Sequence, residues 1–487
     1  MLHPISQAKK QFSGVALILL AAVLAFAGSS LRASELDDTI VALMAKRKIP
    51  GLSLAIIKDG VIVKAQGYGV TRLEGGAPVT KDTLFQAGSV SKPVTALGAL
   101  RLVELQKLSL DANVNSALHA WHLPENEFTR DNPVTLRRLL SHTAGTTVHG
   151  FPGYAADGSW PTLIQVLDGQ PPANTKPIRV DFVPGSKWRY SGGGYVIVQQ
   201  LLTDISGRAF PDFMQETVLG PLGMNASTFA QPLPAPLAAL AATGYRSGGK
   251  PVPGGWHVYP EMAPAGLWTT PSDLARVLIA VQKSYAGAPG GLLKPETARQ
   301  MLTVEKGNFG LGFHLTGQEG LEQFDHNGRD DGFDTFTRAY RGAGLGAVIM
   351  INANDDSLFM IRVIDAIAKE YNWPGHVPYA SPKAIADQEP EVTKAIQAVF
   401  LATQQGKFDP TLYTPELGKF LATLIPGAAT RTLQEMGALQ SFTLVQRWNN
   451  GPDRAYRYHV VAANDTAIAQ CVYRPDGKIV MISLQPE

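Results

Sequence analysis

Phe85-Gln86-Ala87-Gly88-Ser89-Val90-Ser91-Lys92-Pro93 is the stretch around which the chain is organised, and an apolar run follows it. The glycine and serine in its middle suit the start of a helix, and Pro93 is tolerated in a helix only within the first turn. The apolar residues beyond it recur at near-helical spacing: Val94, Leu97, Leu100 and Val103. We therefore predict a helix that starts at Ser89 and ends near Leu105. It places Ser89 and Lys92 on one face, one turn apart.

A serine in this position has two interpretations. The positive end of the helix dipole and a neighbouring amine are a plausible means of activating the Ser89 hydroxyl. The alternative is an ordinary serine cap. The S-x-x-K spacing does not decide between them, because Ser6 and Lys9 show the same spacing in what looks like a targeting segment. The rest of the chain has to supply the context.

The first residues predict a signal peptide. Lys9 and Lys10 precede an uncharged run over residues 14–28, and Ala25-Phe26-Ala27 follows the A-x-A pattern of a cleavage site. We expect residues 1–27 to be removed and the protein to be periplasmic or secreted. An uncleaved membrane anchor is the alternative, since the charge-free stretch runs on to Arg32, although its apolar core is short for a membrane span.

Composition limits the other functional classes. The chain has 487 residues, 45% hydrophobic and 17% charged, which is typical of a globular protein with more than one domain. The net charge of +2 comes from the two lysines of the signal segment, so we expect no nucleic-acid partner. The single cysteine, Cys471, has no partner in the chain for a disulfide, so export relies on core packing.

Apolar patterning gives the coarse organisation. Residues 49–63 read as a hairpin with an Asp-Gly turn, and residues 146–185, rich in Gly, Pro and Asp, read as a long loop region. A polar segment, residues 376–390, reads as a linker. After it, a helix over 392–404 and several alternating apolar segments predict a small α+β domain over residues 391–487.

Residues 134–145 predict a short helix that Thr135 caps and that ends before Gly145, with His142 on it. His142 is either a catalytic residue or a hydrogen-bonded structural histidine. His149, in the loop beyond, is the better candidate for lining a pocket.

The remaining motifs narrow the chemistry. The sequence contains no G-x-S-x-G, which argues against an α/β-hydrolase, and no H-E-x-x-H or paired Cys/His spacing, so we expect no metal or other cofactor. It contains instead an ordered set: Ser89 and Lys92, then Tyr190 after a Pro-Gly turn, then His326-Asn327-Gly328. A serine nucleophile needs a base and an oxyanion site, and this set has candidates for both.

In this order the motifs resemble the serine β-lactamase and penicillin-binding-protein superfamily. The resemblance is nearest the class C-like branch, which also contains family VIII carboxylesterases and D-amino-acid peptidases. It runs from about residue 36 to about residue 375. The motifs that carry it are Ser89-Val90-Ser91-Lys92, Leu139-Leu140-Ser141-His142-Thr143-Ala144-Gly145, Tyr190-Ser191-Gly192, Gly266-Leu267-Trp268 and His326-Asn327-Gly328.

The resemblance implies an α+β fold of the β-lactamase/transpeptidase type over residues 36–380. An antiparallel sheet flanked by helices carries a mostly helical lobe, and the active site lies between them. The small C-terminal α+β domain resembles, faintly, the nuclear-transport-factor-2 or cystatin folds. It carries no recognisable chemistry, and we expect an accessory role.

The resemblance also implies roles for the motif residues. Ser89 is the nucleophile, Lys92 its proton partner, and Tyr190 the base or acid near the leaving group. We assign the role of base to Lys92 and Tyr190 as a pair and not to one of them. The backbone N–H groups of Ser89 and Arg329 form the oxyanion hole, and Gly328 lets substrate lie close along its strand.

Two departures from the family pattern affect the expected substrate. Gly192 stands where asparagine is common, which removes a side-chain amide contact to substrate. His326 stands where β-lactamases usually have lysine, which replaces a fixed positive charge by a group mostly uncharged at neutral pH. Both favour esters or small amides over antibiotics. Arg329 and Asn327 could still bind a substrate carboxylate.

We therefore predict an exported serine hydrolase that forms an acyl-enzyme at Ser89 on small ester, amide or peptide substrates. A β-lactamase, a D-alanyl-D-alanine carboxypeptidase or a D-aminopeptidase is the second hypothesis. A non-catalytic binding protein for cell-wall peptides, or a sensor, is the third. We expect no stable membrane association unless the signal segment stays uncleaved.

Overall fold

The computed structural model describes residues 34–317, 319–355, 358–375, 383–425, 427–450 and 452–486. The predicted signal peptide and the first part of the predicted linker lie outside these ranges. Among the described residues, no helix combines the length and the apolarity that a membrane crossing needs.

The described helices and strands are as follows. The α-helices are α1 (Glu35–Arg47), α2 (Ser91–Glu104), α3 (Leu136–Leu140), α4 (Leu163–Asp168), α5 (Gly192–Ser206), α6 (Phe210–Met214), α7 (Ala235–Ala238), α8 (Met262–Ala265), α9 (Pro271–Ala286), α10 (Pro295–Met301), α11 (Leu358–Glu370), α12 (Pro390–Gln404), α13 (Pro415–Leu424) and α14 (Ala428–Met436). The strands are β1 (Gly51–Lys58), β2 (Val61–Gly69), β3 (Phe85–Gln86), β4 (Tyr154–Ala155), β5 (Tyr245–Arg246), β6 (Lys250–Pro251), β7 (His257–Val258), β8 (Trp268–Thr269), β9 (His314–Thr316), β10 (Gln323–Asp330), β11 (Phe333–Tyr340), β12 (Gly346–Ile351), β13 (Leu439–Asn450), β14 (Asp453–Ala462), β15 (Thr466–Tyr473) and β16 (Ile479–Pro486).

The main sheet is antiparallel and six-stranded, in the order β2-β1-β12-β11-β10-β9. The hairpin between β1 and β2 is confirmed. Its turn residues, Asp59 and Gly60, have φ of 53° and 71°, the left-handed conformation that an Asp-Gly hairpin turn requires. Strands from the start of the chain and from residues 314–351 therefore share one sheet, which brings distant segments together.

Helices cover both faces of this sheet. On one face, α1 and α11 pack against inward side chains of β1 and β12, including Leu54, Ile349 and Ile351. On the other face lies the helical lobe, whose core combines α2, α5 and α9 with sheet residues such as Phe324 and Phe333. Because successive strand residues point to opposite faces, each residue of β10 belongs to one of these two environments.

The C-terminal residues form a separate hydrophobic core. Helices α12, α13 and α14 pack against a four-stranded antiparallel sheet in the order β13-β14-β15-β16. Buried Cys471 lies within this core. The predicted fold, a β-lactamase/transpeptidase-like α+β domain with a small C-terminal α+β domain, is confirmed. The exact domain boundaries and the likeness to nuclear-transport-factor-2 or cystatin folds stay predictions.

Candidate active site

Ser89 lies in a tight turn just ahead of a helix. Residues Gly88–Val90 form one 3₁₀ turn, and α2 begins at Ser91. The prediction that Ser89 itself opens the α-helix is therefore wrong, because the tighter turn comes first and Val90 takes the cap position without a side-chain bond. Gly88 has φ of 51°, and a Cβ atom there would lie 2.6 Å from the backbone nitrogen of Arg329. The turn thus presses against β10 in a way that requires glycine.

Lys92 is next to the serine hydroxyl and is buried. Its side chain is 2% exposed, and its Nζ lies 2.9 Å from Ser89 Oγ and 2.9 Å from the carbonyl oxygen of Pro264. Burial lowers the pKa of the Lys92 amine to about 7, and the Asp330 carboxyl opposes this fall. A substantial fraction of the amine is therefore neutral near neutral pH, and a neutral amine can accept the serine proton.

Tyr190 completes the contacts of the serine hydroxyl. Its ring centroid lies 5.0 Å from Lys92 Nζ, and its phenol interacts with the Ser89 side chain. Burial raises the pKa of Tyr190, and the hydrogen bond to Ser89 opposes the rise. The structure thus brings together Ser89, Lys92 and Tyr190, which are up to 101 positions apart in the printed sequence.

The strand β10 runs directly past the serine turn. A Cβ atom on Gly328 would overlap the carbonyl oxygen of Ala87 and would lie 3.0 Å from the backbone nitrogen of Ser89. β9 pairs with β10 only at residues 323–325, so the following residues present an edge that no strand of the described chain covers. The backbone nitrogens of Ser89 and Arg329 lie where this edge meets the serine turn, and their role as an oxyanion hole stays a prediction.

His326 is a neutral residue in this setting. Burial, followed by the charge of Lys92, lowers the pKa of the imidazole to about 3. Its Nδ1 lies 2.6 Å from the carbonyl oxygen of Asn327 and donates to it in the neutral tautomer. The side chain of Asn327 is exposed. His326 therefore supplies no positive charge at the position where β-lactamases usually have lysine.

The side chain of Arg329 points away from the site. Its guanidinium donates to both carboxylate oxygens of Asp334, at 2.7 Å and 2.6 Å, and to the carbonyl oxygen of Asp355. Since Gly328 faces the serine turn, strand alternation places the Arg329 side chain on the opposite face of the sheet. The prediction that this side chain could bind a substrate carboxylate is wrong, and only the Arg329 backbone N–H remains at the site.

Gly192 is buried, whereas His149 is exposed beside Tyr190. Gly192 begins α5 and donates its N–H to the carbonyl oxygen of His149 at 3.0 Å. A Cβ atom on Gly192 would lie 2.8 Å from the ring of Phe151, so the glycine is buried beneath this loop and does not line the substrate space. This burial agrees with the loss of a side-chain contact expected at Gly192, and a substrate-binding role for its backbone stays a prediction. His149 is exposed, and its ring centroid lies 5.0 Å from that of Tyr190.

His142 lies behind Tyr190, with ring centroids 4.2 Å apart. The predicted helix with its Thr135 cap is present, since Thr135 accepts the N–H of Arg138 at 3.2 Å. The placement of His142 on this helix is wrong, because α3 ends at Leu140 and His142 follows it with φ of 61°. Phe309 closes the same side of the pocket. It is buried, and its ring faces those of Trp188, Tyr190, His142 and His326 at centroid distances of 5.2–6.3 Å. These rings form an aromatic wall beside Tyr190 and His326.

Sequence reasoning missed two buried carboxyl groups. Asp330 is 3% exposed and lies beside the N–H of Gly88. Burial raises the pKa of Asp330 well above its usual value, and Lys92 and the Gly88 N–H oppose the rise. The alternation of β10, which puts Asp330 on the same face as His326 and Gly328, is a signal that could have found it. Glu261 is fully buried, and burial raises its pKa to about 7; no motif marks it.

The described residues hold no group of three or more His, Cys, Asp and Glu side chains suited to a metal ion. The chemistry available at the site is that of a serine hydroxyl between an amine and a phenol, beside backbone N–H donors.

The chain is similar in sequence to proteins of known families. A family model described as Beta-lactamase matches residues 36–370. Among curated proteins, "Penicillin-binding protein 4" of Amycolatopsis lactamdurans is 27% identical over 64% of this chain and 83% of its own length. "Beta-lactamase" of Pseudomonas fluorescens is 27% identical over 68% and 96%, and "Esterase EstB" of Burkholderia gladioli is 28% identical over 54% and 72%.

Solved structures show the same fold. The octameric penicillin-binding protein homologue from Pyrococcus abyssi superposes with a TM-score of 0.59 at 19% identity, covering 94% of this chain and 98% of that one. The D-amino acid amidase from Ochrobactrum anthropi superposes with a TM-score of 0.55 at 22% identity, covering 69% of this chain and 100% of that one. The first comparison extends over the C-terminal domain as well.

Proposed function

The chain belongs to the Beta-lactamase family, and on this basis we propose that it is an exported serine hydrolase that forms an acyl-enzyme at Ser89 on small, uncharged esters or amides. The observation that supports this best is the position of the Ser89 hydroxyl, which contacts the Lys92 amine and the Tyr190 phenol at once. Family membership makes the chain a β-lactamase-related serine hydrolase. Its export, the acyl-enzyme at Ser89 and the acyl donor are the proposed parts.

Acylation uses the groups around Ser89. The pair Lys92 and Tyr190 takes the hydroxyl proton as Ser89 Oγ attacks the substrate carbonyl. The backbone N–H groups of Ser89 and Arg329 donate to the oxygen that gains negative charge. As the carbonyl re-forms, the bond to the alcohol or amine breaks, and the pair returns the proton to that leaving group.

Deacylation repeats these steps with water in place of the serine hydroxyl. A water molecule attacks the ester carbonyl of the acyl-enzyme while the same pair takes its proton. The tetrahedral intermediate then releases the carboxylic acid, and Ser89 Oγ regains a proton from the pair. The aromatic wall around Phe309 limits access of other water molecules during both steps.

The charges around the free edge of β10 favour an uncharged acyl donor. His326 is neutral, since burial holds its pKa near 3, and the guanidinium of Arg329 pairs with Asp334 on the other face of the sheet. Neither residue supplies the fixed positive charge that a substrate carboxylate next to the scissile bond would need. A short-chain ester or amide without this carboxylate needs no such charge.

A chromogenic short-chain ester and a fluorophosphonate test the proposal. The wild-type protein is expected to show a burst of product and a covalent mass adduct on the peptide containing Ser89, and Ser89→Ala should lose both. Ser186→Ala, which alters an exposed serine in the loop before Tyr190, is the matched control and should behave like wild type. If no adduct forms, and Ser89→Ala turns over ester like wild type, the proposal is wrong.

The names of the relatives favour a second candidate function. Curated relatives include proteins named beta-lactamase and D-aminopeptidase. This candidate predicts that a chromogenic cephalosporin or a D-Ala-D-Ala peptide is turned over at rates comparable with the ester. Matched esters with and without a carboxylate beside the scissile bond separate the two: a preference for the carboxylate would overturn the uncharged donor. Binding without turnover on the whole panel would favour the non-catalytic alternative.

Export is part of the proposal, and the pattern of Lys9, Lys10 and the apolar run after them supports it. Expression of the full chain in a bacterial host is expected to yield a periplasmic or secreted protein whose mass lacks residues 1–27. A full-length mass in the membrane fraction would indicate an uncleaved anchor instead.

A further inference from the structure

His142 contacts the backbone on both sides of Tyr190. The N–H of Arg189 donates to the carbonyl oxygen of His142 at 2.9 Å, and the N–H of Ser191 donates to its Nδ1 at 3.2 Å. One histidine therefore binds the residue before the tyrosine and the residue after it. The position of Tyr190 along its segment is defined by these two bonds.

The imidazole ring also contacts the tyrosine ring itself. The centroids of His142 and Tyr190 are 4.2 Å apart, with an angle of 35° between the planes. His142 is 2% exposed, so this contact is excluded from water. Its φ of 61° lies in the left-handed region, which is uncommon for a residue with a Cβ atom. This conformation is compatible with both the carbonyl and the ring facing the Tyr190 segment, and tertiary contacts have to maintain it.

The ring is a hydrogen-bond acceptor towards Ser191. Because Nδ1 accepts, the proton of the neutral imidazole is on Nε2. Nε2 is buried and has no hydrogen-bond partner among the described residues, and the ring meets Phe309 and Trp188 edge to face. Burial lowers the pKa of His142 well below its usual value, and the nearby Lys92, His326 and His149 lower it further.

The Ser191 N–H needs this acceptor. Ser191 is the N-cap of α5, and its own hydroxyl accepts the N–H of Gly194 at 3.1 Å. The same hydroxyl donates to the carbonyl oxygen of Thr147 at 2.8 Å. The hydroxyl is thus engaged elsewhere, and the Ser191 N–H donates to His142. An apolar residue of the same size at position 142 would leave this buried donor without a partner.

We propose that His142 is a positioning residue that acts through Tyr190, holding the phenol in place beside Ser89 by stacking on its ring and accepting the N–H of Ser191. The inference rests on the proposed function in one respect: Tyr190 is taken to move protons during acyl transfer. It also explains why the segment between α3 and the Gly145 turn carries a histidine that faces the protein interior.

Three substitutions separate the two contacts. His142→Asn keeps an acceptor where Nδ1 lies and loses the ring; His142→Phe keeps a ring and loses the acceptor; His142→Ala loses both. Displacement of a catalytic group by about 1 Å costs up to about 100-fold in rate. We expect kcat for the ester to fall about 10-fold to 100-fold in the Phe and Ala variants, with KM within about twofold of wild type, and to recover partly in the Asn variant.

Comparing kcat with the midpoint of thermal unfolding in the His142 variants separates a positioning role from a purely structural one. A histidine that only stabilises the fold would lower the midpoint of thermal unfolding and leave kcat of the folded fraction unchanged. Wild-type kcat in folded His142→Phe would overturn the proposal, and so would a kcat in the Asn variant no better than in Ala.

Nitrogen-15 NMR of histidine-labelled wild-type protein gives a readout that needs no turnover. We expect one imidazole with a bare Nδ1 and a protonated Nε2 that stays neutral when the pH falls below 6.5, and that loses this signature in His142→Asn. The proposal would be overturned if the imidazole of His142, identified as the signal that His142→Asn removes, were doubly protonated or carried its proton on Nδ1. If fluorophosphonate leaves Ser89 unlabelled while this tautomer is present, the proposed function fails and the hydrogen bond does not.

Discussion

At the scale of single residues, the charge of Lys92 decides when the serine can react. Its Nζ contacts the Ser89 hydroxyl and a backbone carbonyl, both of them uncharged, and its side chain is buried. These surroundings disfavour the ammonium form and hold the pKa of Lys92 to about 7. The carboxyl of Asp330 is the group that favours the charged form.

The rate of acylation is therefore expected to depend on pH with a midpoint near 7. The neutral amine is the form that accepts the proton, so kcat/KM for the ester should rise as the pH increases through this value. Asp330→Asn removes the carboxyl whose ionised form favours the ammonium form of Lys92, and it retains an oxygen beside the Gly88 N–H. It should move the midpoint to lower pH, because the lysine loses the partner that raises its pKa. A pH profile of kcat/KM checks both; an unchanged or raised midpoint in Asp330→Asn would contradict the assignment.

At the scale of elements, the site is built by the close approach of β10 to the Gly88–Val90 turn. The two segments meet backbone to backbone, with the Cβ position of Gly328 on the carbonyl oxygen of Ala87. Backbone atoms cannot move aside as the end of a flexible side chain can. The distance between the serine turn and β10 therefore depends on Gly328.

Gly328→Ala is expected to separate the turn from the strand. The overlap should lower the free energy of unfolding by about 1–3 kcal/mol. The rate of fluorophosphonate labelling at Ser89 should fall by about 100-fold, because the oxyanion donors are displaced. Thermal unfolding and the labelling rate measure the two effects. Gly342→Ala is the control, since a Cβ atom there has nothing within 4 Å; labelling of Gly328→Ala at the wild-type rate would refute the close approach.

At the scale of the whole molecule, charged pairs join the C-terminal domain to the catalytic domain. Arg362 on α11 pairs with Asp465 and donates to the carbonyl oxygen of Thr466 at 3.0 Å. Arg47 at the end of α1 pairs with Glu435 at 2.8 Å and with Asp355 at 2.6 Å. The backbone carbonyl of Asp355 also accepts from Arg329. The C-terminal domain thus contacts α1 and α11, which cover one face of the main sheet, near the Asp355 that also binds Arg329.

Arg362→Ala is expected to weaken the contact between the domains. The carboxylate of Asp465 is 7% exposed, and removing Arg362 leaves it with Lys46 at 3.5 Å and the N–H of Thr466 at 3.0 Å. We expect a loss of about 1–3 kcal/mol, since a largely buried carboxylate loses its charged hydrogen bond.

The midpoint of thermal unfolding measures this loss. Lys369→Ala, which removes an exposed pair with Glu35, is the control and should leave the midpoint unchanged. Equal midpoints for the Arg362 and Lys369 variants would show that the interdomain pair contributes nothing measurable.

Local chemistry in the sequence was sufficient for much of the fold and of the site. The Asp59-Gly60 turn predicts its hairpin because few residues adopt the φ values that such a turn needs. Ser89 and Lys92 are three residues apart, so the turn and helix that contain them bring their side chains together. Ser89 and Lys92 are followed by Tyr190 and His326 in the order that the family shows. This order predicted the family because each motif is weak alone and the motifs occur together.

Only the tertiary structure decided how distant segments face one another. It placed the Arg329 side chain on the far face of the sheet, because Gly328 has to face the serine turn. It buried Gly192 beneath Phe151, and it brought Asp330 to the Gly88 N–H. It also placed His142 against Tyr190, which is 48 positions later in the sequence. Spacing along a chain determines local geometry, whereas these contacts depend on strand alternation and on segments that meet only when the sheet and the helical lobe pack together.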